Sequence, residues 1–584
     1  MRMRNWQRNL DALGRQRFWS AVILAAALLA LLLFLKNADS PDEGLAARIT
    51  KDLDEGRRWK FPPPVYFKQI HLWKAAAVNV WLIAALLLTS GLWMRWAHIP
   101  GTGQLPKVGQ PVTRISILFL LGALVIGMWM RVPLMDRHIL RDEQDNLRRN
   151  IHGYTDLLED GTKKWKEATW DNAFHENRLA NNPIFFSVLA HGSLGIWRTF
   201  SGASRDQFNL IALRMPSLLA GLLSIVLIWR LLHWIGFRHA AFFAAFLLAM
   251  HPMAIDFHVQ ARGYSLCMCF VLSATASAYL ALRTLRWRWW IVYGASIMLC
   301  LYSYPGSIYF AVGFNAFLGA WLLIRSITRK APSTARPQLV RLGIANLLAA
   351  IIFLQLAKPA IAQAQDYLTT KFSKNDLNAD WIFTVWGSNV SGVILPTAAE
   401  WWNLPVEEKN IASYIVNNYI PEDPLLACIV FVIAPLLLGL GILRICRDNR
   451  HAMPLILGGL AAPVLAYSHS TLITGLYLYY WYIIYLLPVF IIVFSVGITS
   501  IAGFVRNCAV QSLVTLGSAT AYLVTFAMIT NASAGKGRDL TKDYGPGDPY
   551  VEFQRGKARW RVYPNGTMTR ELGKNVDPDR PVSR

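Results

Sequence analysis

Charge is what this 584-residue chain has least of: Lys, Arg, Asp and Glu make up 16% of it, against 54% hydrophobic residues. A soluble domain carries about a quarter charged residues, so composition argues against an ordinary soluble fold. Acids are scarcer than bases, 35 against 58, for a formal net charge of +23. Such a surplus can mark a nucleic-acid partner, but the cations form no single basic face. They sit in short gaps between apolar runs, where positive-inside topology needs them, and nucleic acid is set aside as a partner. Cysteine is rare as well. The six (Cys267, Cys269, Cys300, Cys428, Cys446 and Cys508) have no metal-ligand spacing with histidines and give no disulfide framework. Cys267 and Cys269, two apart on a helix, do not share a face and read as small buried hydrophobes. A small-residue cleavage site is also missing after the basic opening "MRMRNWQRNLDALGRQRFW". The apolar run 18–35 therefore reads as a retained signal-anchor.

What the chain has instead is apolar runs near the ~20 residues that a helix needs to cross a bilayer. Thirteen spans are expected: 18–35, 75–94, 115–131, 215–233, 240–258, 265–283, 290–303, 306–325, 341–358, 425–443, 453–470, 478–501 and 509–529. The fold class is thus an all-α polytopic membrane protein. With the N-terminus cytoplasmic, the short cytoplasmic loops hold Arg95, Lys107 and Arg114, then Arg238, Arg286 and Arg288, then Arg329, Lys330 and Arg336, then Arg447, Arg450 and Arg506. That distribution obeys the positive-inside rule and puts the C-terminus outside. Three large segments face out, 36–74, 132–214 and 359–424, together with a polar tail from about residue 530. The tail, with its Gly, Pro and short alternating runs, reads as a β-hairpin or as partly disordered. One apolar stretch, "NNPIFFSVLAHGSLGIW" (181–197), would reverse every later loop if it crossed. It is assigned to an amphipathic helix lying along the outer interface. The domains are then a two-span extension (1–114), a transmembrane core (115–529) and the outer tail (530–584).

Four outer-face stretches concentrate polar groups. In "ILRDEQDNLRRN" (139–150), Asp142 and Glu143 follow the third span closely. Adjacent carboxylates repel, and an outward Asp is a reasonable general base for a hydroxyl acceptor. The competing reading is a solvated helix, because the acids stand at helical spacing from bases. In "AMHPMAIDFHVQARGYSLCM" (249–268), Asp256, His258, Gln260, Arg262 and Tyr264 gather at a membrane boundary. Ionisable groups there are costly unless a cavity, partner or ligand receives them, although an arginine can also simply snorkel. In "NLIALRMPSLLAG" (209–221), Arg214 opens the fourth span, where an interfacial anchor is the plainer reading. In "LYSYPGSIYF" (301–310), Tyr302 and Tyr304 precede a Pro-Gly break, and an aromatic belt is the plainer reading of them.

Taken in order and on one side, these elements resemble the lipid-linked-sugar glycosyltransferases of the GT-C type. The likeness is greatest to the branch of protein O-mannosyltransferases and lipid A aminoarabinose transferases. The matching elements are "RDEQDN", the polar-Pro opening "NNPIFFSVLAHGSLGIW", the entrance "RMPSLLAG" and "HPMAIDFHVQARGYSL". The resemblance implies that Asp142 is the catalytic base and that Glu143 shapes or charges the site. It places Arg214 and Arg262 near a donor phosphate, with Tyr264, His258 and Tyr304 around the substrate. Asn182 occupies the place of a donor-facing Lys or His and, being neutral, leaves phosphate binding to the arginines. A second departure is Trp481-Tyr482 in "YLYYWYIIYLLP", where many relatives have Arg-Tyr.

The implied reaction moves a sugar from a polyprenyl-phosphate donor in the bilayer to an outer-face glycan, lipid or protein acceptor. One base with in-line displacement implies inversion, and cations offset charge on the leaving phosphate. A divalent metal ion is compatible with Asp142 and Glu143, although no His/Cys ligand set demands one. The resemblance to bacterial relatives implies the inner membrane, with the reaction on its periplasmic side. A transporter or lipid-sugar flippase is the alternative; it predicts repeated halves and charges at mid-membrane. A rival acid pair, Asp42-Glu43, also faces out, but "PDEGLAARI" reads as a helix start and no entrance motif follows it. The stretch "NNYIPEDPLL" (417–426) reads as a rigid turn, and Asn389, Asn531 and Asn565 stand in Asn-x-Ser/Thr sites.

Overall fold

The computed structural model describes residues 2–38, 64–99, 108–109, 111–136, 139, 141–158, 160–177, 180, 182–328, 332–371, 379–392, 432–475, 478–501, 517, 520, 551–555, 558–562 and 568–572. Asp42-Glu43, all of the span 509–529 but residues 517 and 520, the turn 417–426, Asn531 and Asn565 lie outside them. Eight described helices are long and apolar enough to cross a membrane, and a bent pair makes a ninth. The count of thirteen is therefore not reproduced. The stretches expected at 290–303, 425–443 and 478–501 meet shorter helices, Trp287–Ser303, Ala434–Asp448 and Leu486–Ile501.

The elements run in chain order as α1 (Arg2–Asn37), α2 (Pro64–Leu88), α3 (Ser90–Ala97), α4 (Arg114–Arg131) and α5 (Arg141–Asn146). A hairpin follows, β1 (Gly153–Leu157) and β2 (Lys163–Glu167), then α6 (Trp170–His175), α7 (Ile184–Ser201) and α8 (Leu210–Ile235). Next come α9 (Arg238–Met250), α10 (Pro252–His258), α11 (Tyr264–Thr284), α12 (Trp287–Ser303), α13 (Ile308–Ile327) and α14 (Pro332–Lys371). The rest are α15 (Ala379–Ser391), α16 (Ala434–Asp448), α17 (Met453–His469), α18 (Leu486–Ile501), β3 (Val551–Arg555), β4 (Ala558–Val562) and β5 (Met568–Leu572).

Local chemistry sets the helix ends that matter. Thr113 caps α4 by accepting from Ser116 N, and Asn209 caps α8 by accepting from Ala212 N. Gly236 ends α8 at φ +105°, a left-handed value that a side chain disfavours. Pro252 then divides what would be one span. It has no N–H to give Leu248 O, and the chain bends by 60° between α9 and α10.

The helices meet at two distinct ends. At one, Ser116 Oγ lies 2.8 Å from His233 Nε2, Asn449 Nδ2 donates to Ile235 O at 2.9 Å, and Arg341 Nη1 donates to Leu285 O at 2.5 Å. The other end gathers the C-terminus of α4, the N-termini of α8 and α11, and the C-terminus of α12. Because α4 finishes and α8 begins at the same end, α7 between them leaves and returns without crossing. Nor is α7 among the helices apolar enough to span.

The 132–214 segment and the tail add one feature to the all-α membrane core. The tail forms three strands, not a hairpin alone, and they join β1–β2 in a sheet of order β2-β1-β5-β4-β3. β5 runs parallel to β1, pairing Asp156 with Arg570. The Arg570 guanidinium grips Asp156 through Nε and Nη2 at 2.7 and 2.8 Å. Asn389, expected at a glycosylation site, is buried on α15, where its amide donates to Val385 O.

Candidate active site

Construction begins with the acid pair. The helix α5 starts with Arg141 and Asp142, whose side chains lie outside the described residues, and Glu143 follows, fully buried. Arg214, two positions before Pro216 on α8, meets the Glu143 carboxylate with Nη2 at 2.9 Å and Nε at 3.3 Å. Its Nη1 donates to Met135 O at 3.1 Å, just past the end of α4. The backbone N–H of Ala261 also donates to Glu143 Oε1. One carboxylate therefore ties three separate segments: the loop after α4, the entrance of α8, and the turn before α11. The paired hydrogen bonds from a guanidinium to a carboxylate make this a strong and directional joint.

The remainder of "RDEQDNLRR" partly fits a charge-laced helix. Arg148 pairs with Asp145 at 2.5 Å, three residues away, and Asn150 donates to Asn146 Oδ1 at 2.8 Å. Ser187 Oγ on α7 lies within hydrogen-bond distance of both Asn182 Oδ1 and Asn146 Oδ1, at 2.5 and 3.1 Å, linking α7 to the acid-bearing segment.

The turn between α10 and α11 supplies the second wall. Ser217 Oγ donates to Arg262 O at 3.1 Å, and Gln260 Nε2 donates to Asp256 Oδ2 at 2.5 Å. The Arg262 guanidinium lies 5.7 Å from the centre of the Tyr264 ring. Tyr264 in turn packs against Phe257 at 4.8 Å and Tyr304 at 5.5 Å, and Tyr304 reaches Tyr482 at 6.4 Å between centroids. Gly263 is the point where three sequence elements touch. A Cβ there would strike Ser303 O and come within 2.9 Å of the Pro183 ring, so the close approach requires glycine. The entrance, the Arg-Gly-Tyr element, the Asn-Pro element and the Tyr-Pro-Gly break thus converge as the sequence order suggests.

Two expected residues serve otherwise. Asn182 is 5% exposed, and its amide donates to Glu176 O at 2.7 Å while its oxygen accepts from Ser187 at 2.5 Å. These bonds tie it to its own loop and to α7. His258 is fully buried and turns to α4, where Arg131 Nε donates to its Nδ1 at 3.1 Å.

Arg131 is the residue that sequence reasoning passed over. It is fully buried at the end of α4. Its Nη2 donates to Leu248 O at 3.1 Å and its Nη1 to Ala249 O at 2.6 Å. Leu248 O is the carbonyl that Pro252 leaves without its helical donor, and a cation at a helix C-terminus also suits the dipole. The signal was present in the proline inside the expected span 240–258.

Farther out, His152 sits between Trp165 and Phe208, and Arg198 Nη2 lies 2.7 Å from its Nδ1. An arginine only donates, so Nδ1 is the acceptor and the ring is neutral. Burial, with the Arg198 charge adding to it, pushes the His152 pKa down to about 3.

Residues 203–354 match the family described as dolichyl-phosphate-mannose-protein mannosyltransferase. The match covers Arg214, Arg262, Tyr264 and Tyr304 and begins after the acid pair. No curated protein matches the chain significantly. Among solved structures, the chain is similar to the archaeal oligosaccharyltransferase AglB of Archaeoglobus fulgidus in complex with an inhibitory peptide and a dolichol-phosphate. That likeness is at 15% identity and TM-score 0.41, over 72% of this chain and 56% of that one. The Archaeoglobus fulgidus oligosaccharyltransferase with Zn and sulfate is similar at 14% identity and TM-score 0.40, over 71% and 53%. The same enzyme tethered to an acceptor peptide is similar at 14% and 0.41, over 72% and 55%. The chain spans just over half the length of these proteins. The family match and the sequence resemblance both point to membrane glycosyltransferases of the GT-C type.

Proposed function

We propose that this chain is an integral-membrane glycosyltransferase that moves a sugar from a polyprenyl-phosphate donor to an acceptor hydroxyl at the outer, periplasmic face. The observation that carries the reading is the Glu143 joint. It ties the first turn of α5 to the bundle end that carries Arg262, Tyr264 and Tyr304, which supports Asp142 as the base. The same bundle end holds the helices that match the family.

In this mechanism Asp142 takes the proton of the acceptor hydroxyl, whose oxygen attacks the anomeric carbon. The bond to the phosphate oxygen breaks, and polyprenyl phosphate leaves with the electron pair. Attack opposite the leaving group inverts the anomeric centre. Arg262 offsets charge on the departing phosphate, while Tyr264, Tyr304 and Tyr482 line the sugar side. Glu143 and Arg214 are positioning residues, since each already neutralises the other. That pairing also bears on a metal: a dication beside Glu143 would face the Arg214 charge. Among the described residues no group of three or more His, Cys, Asp or Glu could hold an ion. No step here is routed through a metal.

The test offers the purified chain a panel of polyprenyl-phosphate sugars with periplasmic acceptor fractions and measures polyprenyl phosphate released. Release with at least one donor and acceptor is expected. No release across the panel, from protein that is folded and reconstituted, would remove the proposal.

A further inference from the structure

Two thiols that the reaction does not use lie against each other under the site. Cys267 on α11 and Cys300 on α12 are fully buried, and their Sγ atoms stand 3.7 Å apart. Cys300 Sγ also lies 3.7 Å from Cys267 O, so this side chain spans the gap to the opposite backbone. Both thiols are free in this structure. The partners are 33 residues apart in sequence, which is why spacing among the six cysteines gives no sign of them.

Packing explains why they meet. The two helices run antiparallel, with Gly263 against Ser303 O at one end and Ser273 Oγ 2.8 Å from Ser296 Oγ farther along. Cys267 and Cys300 fall between these contacts, on a seam of small residues that lets the backbones approach. Cys267 N donates to Gly263 O and Tyr304 N donates to Cys300 O, each at 2.9 Å. The thiols therefore sit one helical turn below the crossing that carries Tyr264 and Tyr304. A disulfide needs about 2.0 Å between its sulfurs, so these must close by roughly 1.7 Å. Two buried cysteines can also pack merely as small apolar side chains. This pair, however, meets at the outer end of the bundle, and outer compartments keep disulfides oxidised where the cytosol reduces them.

We propose that Cys267 and Cys300 are a redox pair that closes to a disulfide across α11 and α12, directly beneath the tyrosines of the site. The bond depends on the outward orientation that the transferase reading gives this end of the bundle. Its oxidant is a disulfide-bearing thiol oxidoreductase of the outer compartment. That protein acts while α11 and α12 assemble, because the packed thiols, 0% and 1% exposed, are out of its reach. One cysteine thiolate attacks the oxidant's disulfide, and the other cysteine then displaces the oxidant from the mixed disulfide. The two cysteines are oxidised, and the oxidant leaves as a dithiol with both protons. Once formed, the bond fixes the α11–α12 crossing that holds Tyr264 beside Tyr304.

The test precipitates cells with acid to freeze thiol exchange, denatures the full chain in detergent with N-ethylmaleimide, and counts adducts by mass spectrometry with and without prior reduction. Of the six cysteines, four should label before reduction and all six after it. Peptide mapping should recover a segment bearing Cys267 linked to one bearing Cys300. Cys300→Ala should label at all five remaining cysteines with no reduction. Cys428→Ala, which leaves the pair intact, should label at three before reduction and five after. Six labels without reduction would overturn the proposal, as would a protected pair that maps to other cysteines. Lys163→Cys, labelled from outside intact cells, reads the orientation separately. If it labels while all six native thiols are free, the pair fails and the outward topology of the transferase stands. If it labels only after permeabilisation, the orientation fails and takes the oxidised pair with it.

Discussion

Glu143 holds a negative charge where water does not reach, and Arg214 holds the matching positive charge. Removing one partner of such a pair leaves the other buried and uncompensated, a cost of about 3–5 kcal/mol. Glu143→Ala should therefore lower the melting temperature markedly, and Arg214→Leu should do the same. The double variant should melt higher than either single one, because no lone charge remains. Melting curves in one detergent check this, and additive losses would contradict the joint. His152 gives a second expectation at this scale. Its folded pKa, about 3, lies below the unfolded value near 6.5, so the unfolded chain takes up a proton first on acidification. The contribution is whole above pH 6.5 and is lost as pH falls toward 3. His152→Phe should flatten that part of the stability–pH curve, and an unchanged curve would contradict it. At this scale the sequence exposed residue types and not partners. Asp142, Glu143 and Arg214 were all candidates, but nothing in one chain says that Glu143 spans 71 residues to Arg214. Asn182 and His258 had the right chemistry, and their partners are equally distant from any local signal: Ser187 and Glu176 bond Asn182, and Arg131 donates to His258 Nδ1.

Among elements, the broken helix α9–α10 shows how a local defect is repaired at a distance. Pro252 frees a carbonyl, and Arg131, from α4, supplies donors to it and to its neighbour. An unsatisfied buried acceptor costs about 1–3 kcal/mol, so Arg131→Leu should destabilise the fold by at least that much. Arg131→Lys, with a single ammonium in place of a planar fork, should recover only part of it. Equal melting of Arg131→Leu and the parent would show that the carbonyls find other donors. Long apolar helices such as α8 and α11 were legible because length and apolarity agree in them. The bend was not, since hydropathy averages over a proline that alters direction without altering polarity. The short helices α12, α16 and α18 were met as apolar runs, yet their lengths follow from packing that no window measures.

For the whole molecule, the pairing of β5 with β1 fixes the tail and the 132–214 segment on one side of the bundle. Both were assigned outside from loop charge and span count, and the shared sheet puts the two on the same side as each other. Cysteine placed at Lys163, on β2, should react with a membrane-impermeant maleimide in intact cells. Cysteine at Arg447, near the opposite end, should react only after permeabilisation. The reverse pattern would invert the topology and move the proposed reaction to the other face. The tail's strands were half legible: alternation suggested a hairpin, but the docking partner lay some 400 residues away, beyond any local signal. The account rests finally on dividing the acid pair between a base and a joint. The most direct measurement is the single-turnover rate of polyprenyl phosphate release by Asp142→Asn, taken beside its melting temperature. Loss of a general base predicts a fall of about 10²-fold or more with melting unchanged. A mutant that melts and turns over like the parent would contradict it.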